Sequence, residues 1–319
     1  MKAAVFHSYG MNVLKIEDVE KPGPMDNEVL VKVHATSVNP AEWYGMTGLF
    51  LARLGNGLFR PKDKRLGADF SGIVEAVGNE VTDFKAGDAV FGGRSGAFAE
   101  YVCVQKGIAH KPANVTFEQA GTVGIAGLTA LQGLRDHGKL QPGQKVLING
   151  AAGGVGTFAV QIAKALGAEV TAVCSTRNVD LIRSLGADQV IDYTKEDFTR
   201  SRQRYDLLLD IAGNRSWSEY RRVLAPRAIV VIIGGPKGKV IGPLKHIIAM
   251  RLASLRASQK AVFFVANFNR EDLCTLRELM EAGKVKPVID RTYSLTKINE
   301  AMTYLGTGHA RAKIAVNMQ

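Results

Sequence analysis

Cysteine is scarce in this chain. Three occur in 319 residues, Cys103, Cys174 and Cys274, far apart and without paired spacing. That excludes a disulfide framework and a cysteine-rich zinc site, and it fits a reducing compartment. The six histidines, at 7, 34, 110, 137, 246 and 309, do not fall at metal-ligand spacings, so no metal is expected. No apolar run reaches the roughly 18 to 20 residues that a membrane-spanning helix needs, so no integral membrane segment is expected. The opening MKAAVFHSYG has one lysine and no long apolar stretch. A signal peptide is therefore not expected, and a cytoplasmic location is. Blocks of like charge are also missing, although the formal net charge is +11. Scattered basic residues read as a solvated surface that also steers anionic ligands. RNA readers interleave basic residues with aromatic stacking platforms, and that interleaving is not visible, so no nucleic-acid partner is expected.

The length suggests two domains, and the 46% hydrophobic and 22% charged content is that of a globular protein with ample core. The chain is organised around Lys145 to Gly156, KVLINGAAGGVG. Val146-Leu147-Ile148 has the length and branching of a buried strand. Glycines follow at 150, 153, 154 and 156, and then an apolar stripe, Val155, Phe158, Ala159, Ile162, Ala163 and Leu166, at helical spacing. Strand, glycine turn and helix open a dinucleotide-binding unit, with backbone N–H groups of Ala152, Gly153, Gly154 and Val155 facing a pyrophosphate. The usual G-x-G-x-x-G is imperfect, since Ala151 replaces its first glycine.

The end of the next strand, Glu169 to Cys174, selects the nucleotide. An NAD site places a carboxylate about 20 residues after the glycines. Here Ser175-Thr176-Arg177 stand instead, and no carboxylate lies between Val170 and Val179. Two hydroxyls and a guanidinium suit a 2′-phosphate, which predicts NADP(H). Asn178 is also placed to cap the following helix.

Residues 1 to about 110 read as short strands and glycine turns, a small, partly open β-barrel. Pro40 starts a short helix, and Thr116 with Gln119 forms a capping box. Strands at Lys145 to Asn149, Glu169 to Cys174, Gln189 to Ile191, Leu207 to Ile211 and Ile229 to Ile233 alternate with helices. That alternation predicts a doubly wound parallel sheet. Pro243 to Leu255 reads as an amphipathic segment whose apolar face is Leu244, Ile247, Ile248, Leu252 and Leu255. It roofs the substrate cleft or packs on the barrel or, as an alternative, lies on a membrane surface. Asn269 caps a helix reaching Ala282.

Five blocks in order carry a family resemblance: Val38-Asn39-Pro40-Ala41-Glu42-Trp43-Tyr44; Gly67 to Val74; Ala86-Gly87-Asp88-Ala89-Val90; Ala151 to Gly156; and Ala310-Arg311-Ala312-Lys313-Ile314. Over essentially its whole length the chain resembles the medium-chain dehydrogenase/reductase superfamily, in its zinc-free branch of quinone oxidoreductases related to zeta-crystallin. The zinc enzymes place Cys at the position of Asn39 and a His-Glu pair at Ala68-Asp69, and a structural-zinc lobe is missing here.

The resemblance implies an α/β protein with a GroES-like barrel domain at 1–121, a Rossmann NADP-binding domain at 122–266 and a return of the catalytic domain at 267–319. It implies hydride transfer from NADPH to a quinone or an α,β-unsaturated carbonyl. An NADPH-binding regulatory or RNA-binding protein with little turnover is the alternative. Asn39 and Tyr44 are the implied catalytic hydrogen-bonding residues. Thr129, Tyr193, Gly213, Asn214, Gly234, Gly235, Phe264, Val265, Arg311 and Lys313 join the glycine turn in holding the cofactor. The strand at Ala261 to Val265 implies a homodimer. The basic stretch Arg53, Arg60, Lys62, Lys64 and Arg65 is compatible with an acidic substrate such as an acyl-CoA.

Overall fold

A computed structural model describes residues 1–235 and 244–318. In chain order, strands β1 (Lys2–Val5), β2 (Lys15–Asp18) and β3 (Val29–Val38) precede helices α1 (Pro40–Thr47) and α2 (Phe50–Asn56). Strands β4 (Asp69–Val77), β5 (Ala89–Gly93), β6 (Tyr101–Val104) and β7 (Ile108–His110) follow, then helices α3 (Phe117–Ala120) and α4 (Gly124–Gln132). Next come β8 (Lys145–Asn149), α5 (Gly154–Ala165), β9 (Glu169–Cys174), α6 (Val179–Ser184), β10 (Gln189–Asp192) and β11 (Tyr205–Asp210). The chain continues through α7 (Trp217–Arg221), β12 (Leu224–Ile232), α8 (Leu244–Ser254), β13 (Lys260–Phe263) and α9 (Arg270–Glu281). It ends with β14 (Ile289–Ser294), α10 (Ile298–Thr307) and β15 (Lys313–Asn317).

Contacts divide the chain into two compact units. The first is Met1–Leu128, Asn267–Gly283 and Pro287–Gln319; the second is Thr129–Ala266 with Lys284–Lys286. The boundary falls inside α4, later than residue 121.

The first unit is built on a seven-stranded sheet in the order β14-β15-β3-β4-β5-β7, with β6 also paired to β3. Ten-residue β3 is its spine, pairing antiparallel with β4, β6 and β15. Two cores flank it. Val29, Val31, Val33, Phe70, Val90 and Val102 form one. Phe6, Val38, Met46, Phe98, Ile298 and Val316 belong to the other. The second unit is a six-stranded parallel sheet in the order β10-β9-β8-β11-β12-β13. Its central strands are buried on both faces, which is why Val146-Leu147-Ile148 and Leu207-Leu208-Leu209 read as unbroken apolar runs. The order reverses between β8 and β11, the switch point at whose carboxyl edge such sheets bind ligands.

One expectation holds only in part. Along α8, Ile248 and Leu252 are exposed, as is Leu255 beyond it, while Leu244 and Ile247 are part buried, so only part of the expected apolar face is buried. Met250 is buried instead, and Ile247 packs on the core around Trp217 and Tyr220. His246 fixes this phase. It lies four residues before Met250, on the same side of the helix, and bonds to buried Asp210. Pro243 lies outside the described residues.

Candidate active site and cofactor cradle

In the second unit the glycine turn is closed by sterics. Gly150 has φ +92°, a left-handed conformation that favours glycine. A Cβ on Gly156 would stand 2.4 Å from the Gly150 carbonyl oxygen and 2.5 Å from that of Ala151. Glycine at 156 therefore lets α5 start against the end of β8. Ala151 N–H donates to the Val173 carbonyl at 3.0 Å, joining the turn to β9. A Cβ on Gly153 would meet nothing nearer than 3.5 Å, so the outer side of the turn is open. Gly153 is the N-cap residue of α5, and the first-turn N–H groups of Gly154 and Val155 have no partner within a helix by geometry. An open cradle with exposed amide donors at a helix start fits a pyrophosphate. Ala151, in place of the motif's first glycine, is fully buried and leaves that opening intact.

At the end of β9, Ser175 is part exposed and Arg177 exposed. The structure corrects the role of two neighbours. The Thr176 hydroxyl donates to Asp192 at 2.5 Å and lies 2.9 Å from the Thr194 hydroxyl, so it is engaged. Asn178 precedes α6, but its amide donates to Ser175 Oγ at 3.1 Å rather than capping the helix. Asp192, from the end of β10, is the carboxylate that sequence order hid. Bonds from the Thr176 and Thr194 hydroxyls hold its pKa low. Tyr193 beside it is half exposed.

Behind the turn lies a buried polar network. Asp210, at the carboxyl end of β11, accepts from Asn149 Nδ2 at 3.0 Å and from Gly213 N–H at 2.9 Å. His246 Nε2 is 3.0 Å from its other oxygen. Asn149 Nδ2 also lies 2.9 Å from Tyr220 Oη and 3.0 Å from Asn214 Oδ1. Burial, with the Asp210 charge beside it, pushes the Tyr220 phenol far up. This network sets the Gly213-Asn214 turn, where Gly213 has φ +62° and no room for a Cβ against Gly235. Gly234 is tied back by its N–H to the Asp210 carbonyl. Phe264 stacks on His137 at 4.1 Å. Val265 is 81% exposed beyond the end of β13. Thr129 lies part exposed on α4. Sequence reasoning missed Asp210, Asn149, Tyr220 and His246. A polar residue ending an apolar parallel strand, as Asn149 and Asp210 both do, was the available signal.

The first unit holds the second cluster. Asp69, fully buried, accepts at one oxygen from Ser37 Oγ at 2.5 Å, Asn39 Nδ2 at 3.0 Å and Lys313 Nζ at 3.2 Å. Its other oxygen accepts from Ile125 N–H at 2.6 Å. Lys313 Nζ also donates to Asn39 Oδ1. Glu42 accepts from the Asn39 backbone N–H at 2.8 Å and from its amide at 3.3 Å, the reach-back of a capping box at the start of α1. Burial first, and then the Asp69 charge, push Glu42 up to about 7.

These contacts correct two assignments. Lys313 is 3% exposed and paired inside this cluster, so it is a structural cation rather than a cofactor ligand. Asn39 is buried with both ends of its amide engaged, so it positions α1. Tyr44 differs: it stays part exposed on α1, edge-on to Trp43 at 5.3 Å, and burial raises its phenol above the usual range. Arg311 N–H donates to Asp290 at 3.0 Å, in the turn leading to β15.

The donor set at Asn39 and Asp69 does not suit zinc. The Lys313 ammonium already neutralises Asp69, and a divalent cation beside it would be repelled. Among the described residues no three His, Cys, Asp or Glu side chains form a group that could hold a metal ion.

Comparison with known proteins places the chain. Residues 25–114 match the alcohol dehydrogenase GroES-like domain, and residues 185–316 match the zinc-binding dehydrogenase domain. The chain is 36% identical to the chloroplastic quinone-oxidoreductase QR1 of Triphysaria versicolor, over 99% of this chain and 98% of that one. It is 34% identical to the chloroplastic NADPH-dependent alkenal/one oxidoreductase of Arabidopsis thaliana, over 99% of this chain and 79% of that one. The solved quinone oxidoreductase of Coxiella burnetii superposes with a TM-score of 0.86 at 32% identity, covering 100% of this chain and 99% of the other. With both sheets, the glycine turn and these relatives in agreement, the chain belongs to the quinone oxidoreductase family of the medium-chain dehydrogenases/reductases.

Proposed function

We propose that this protein transfers hydride from NADPH to a quinone or an α,β-unsaturated carbonyl. The observation that carries the reading is the closed glycine turn, where Gly156 leaves no room for a Cβ while the Gly153 side stays open. Two of its relatives are named as a quinone-oxidoreductase and an NADPH-dependent alkenal/one oxidoreductase. NADPH, when bound, supplies the hydride. The remaining chemistry belongs to the chain. The first-turn N–H groups of α5 hold the pyrophosphate, and Arg177 with Ser175 holds the 2′-phosphate beside Tyr193. Gly213, Asn214, Gly234 and Gly235 line the strand ends, held there by the Asp210 network. Tyr44 Oη keeps its proton at neutral pH, as an ordinary phenol with a pKa of about 10 does, and burial raises it further. It donates a hydrogen bond to the acceptor oxygen as negative charge develops there. Asn39, Glu42, Asp69 and Lys313 fix the start of α1 and so the placement of Tyr44.

The test is NADPH consumption with a panel of benzoquinone, phenanthrenequinone, alkenals and acryloyl-CoA, with NADH and EDTA controls. Chelator-insensitive turnover that favours NADPH supports the reading. Tight NADPH binding without turnover on any acceptor refutes it.

We also propose a homodimer through β13, the edge strand of the six-stranded sheet, where Phe263 is exposed, as is Val265 just beyond the strand. An unpaired apolar edge is an aggregation hazard unless covered. Light scattering should give twice the 34.4 kDa chain mass. A monomer at working concentration would contradict this.

A further inference from the structure

The stretch from Phe50 to Arg65 is not used by the chemistry above, yet it is built with care. It carries Phe50, Leu54, Leu58 and Phe59, all exposed, and Phe59 keeps 85% of its surface in solvent. Exposed with them are Arg60, Lys62, Lys64 and Arg65, against the single acid Asp63. The loop that bears Leu58 and Phe59 is pinned. Asn56 closes it with both ends of its amide, donating to the Asp63 carbonyl at 2.9 Å and accepting from Asp63 N–H at 2.8 Å. Lys62 N–H donates to the Asn56 carbonyl at 2.7 Å, and the Tyr9 hydroxyl donates to the Gly57 carbonyl at 2.6 Å. Gly57 has φ +107°, and a Cβ there would collide with the Arg60 carbonyl. Pro61 is buried and anchors the inner side. The fold therefore fixes two large apolar side chains outward, where a solvated loop would place polar ones.

We propose that this loop and α2 are a docking surface for an anionic lipid bilayer. A side chain as exposed as Phe59 lines no enclosed cavity, so its partner is a broad apolar medium rather than a small ligand. Leu58 and Phe59 enter the headgroup and acyl boundary, while Arg60, Lys62, Lys64 and Arg65 pair with lipid phosphates and carboxylates. The excess of exposed basic residues also argues against a second copy of this chain as occupant, since two such faces would bring like charges together.

The test is co-sedimentation of the full chain with vesicles of phosphatidylcholine alone or with about a third phosphatidylserine, at low and physiological salt. Binding to the anionic vesicles that weakens with salt is expected. Phe59→Asp, and separately Arg60→Glu with Lys62→Glu, should each weaken it at least tenfold. Unfolding temperature and NADPH affinity serve as controls, because they report the fold and the second unit. Failure of the wild-type chain to bind anionic vesicles at low salt would overturn the proposal, as would binding that these variants leave unchanged. A change of oligomeric state by Phe59→Asp without vesicles would assign the face to a second copy and overturn it too. A change in acryloyl-CoA KM by the double variant, with vesicle binding intact, would assign it to an acidic substrate instead.

Discussion

Glu42→Gln should change the pH dependence of stability of the first unit. Glu42 is buried among Asn39, Asp69 and Lys313, so two carboxylates share one ammonium. Its pKa rises from 4.5 to about 7, by burial first and by the Asp69 charge second. A raised folded pKa means that the folded state keeps a proton the unfolded chain releases. The stability linked to Glu42 is then complete below about pH 4.5 and lost as pH rises through about 7. At about 1.4 kcal/mol per pKa unit, the loss is on the order of 3 kcal/mol. Glutamine keeps an oxygen that can accept from the Asn39 N–H but cannot ionise. The difference in unfolding free energy, wild type minus Glu42→Gln, should therefore fall by about 3 kcal/mol over that window. The two tryptophans make the assay specific: Trp43 is in the first unit and Trp217 in the second. Urea unfolding followed by Trp43 fluorescence, in a Trp217→Phe background, reads the right unit. A difference that stays constant from acid to neutral pH would refute the assigned burial and charge balance of Glu42.

Three further outcomes follow from the second unit. Gly156→Ala should lower NADPH affinity by about five- to 150-fold, since a misfit of about 1–3 kcal/mol falls on the turn itself; an unchanged Kd by fluorescence titration would contradict the closed cradle. Arg177→Ala should cost about 2 kcal/mol of NADPH binding, roughly thirtyfold, and leave NADH binding unchanged; equal losses for both cofactors would remove the 2′-phosphate role. Tyr220→Phe deletes a hydroxyl 2.9 Å from Asn149 and beside Asp210. It should destabilise the second unit by about 1–3 kcal/mol in guanidinium unfolding read by Trp217, and full stability would show that the network is dispensable.

What the sequence made legible was local. Val146-Leu147-Ile148, the glycines and the stripe from Val155 to Leu166 are one continuous stretch, and their physics needs no distant partner. Thr116 with Gln119 and Asn269 with Asp272 are equally local, and both caps form as their spacing dictates. What stayed hidden depended on tertiary partners. Lys313 sits in a motif that pointed to the cofactor, but its counter-charge Asp69 is 244 positions away in sequence. Thr176 looked free until β10 brought Asp192 beside it. The face of α8 is only partly legible because hydrophobicity alone sets no phase when a histidine is the residue that faces inward.

The most direct measurement follows a deuterium label from NADPH deuterated at its transferable carbon into the product of an enone. The account predicts label on the carbon β to the carbonyl, with one NADPH oxidised per product and no sensitivity to chelator. Product without label, or bound NADPH that transfers nothing to any quinone or enone, would contradict it.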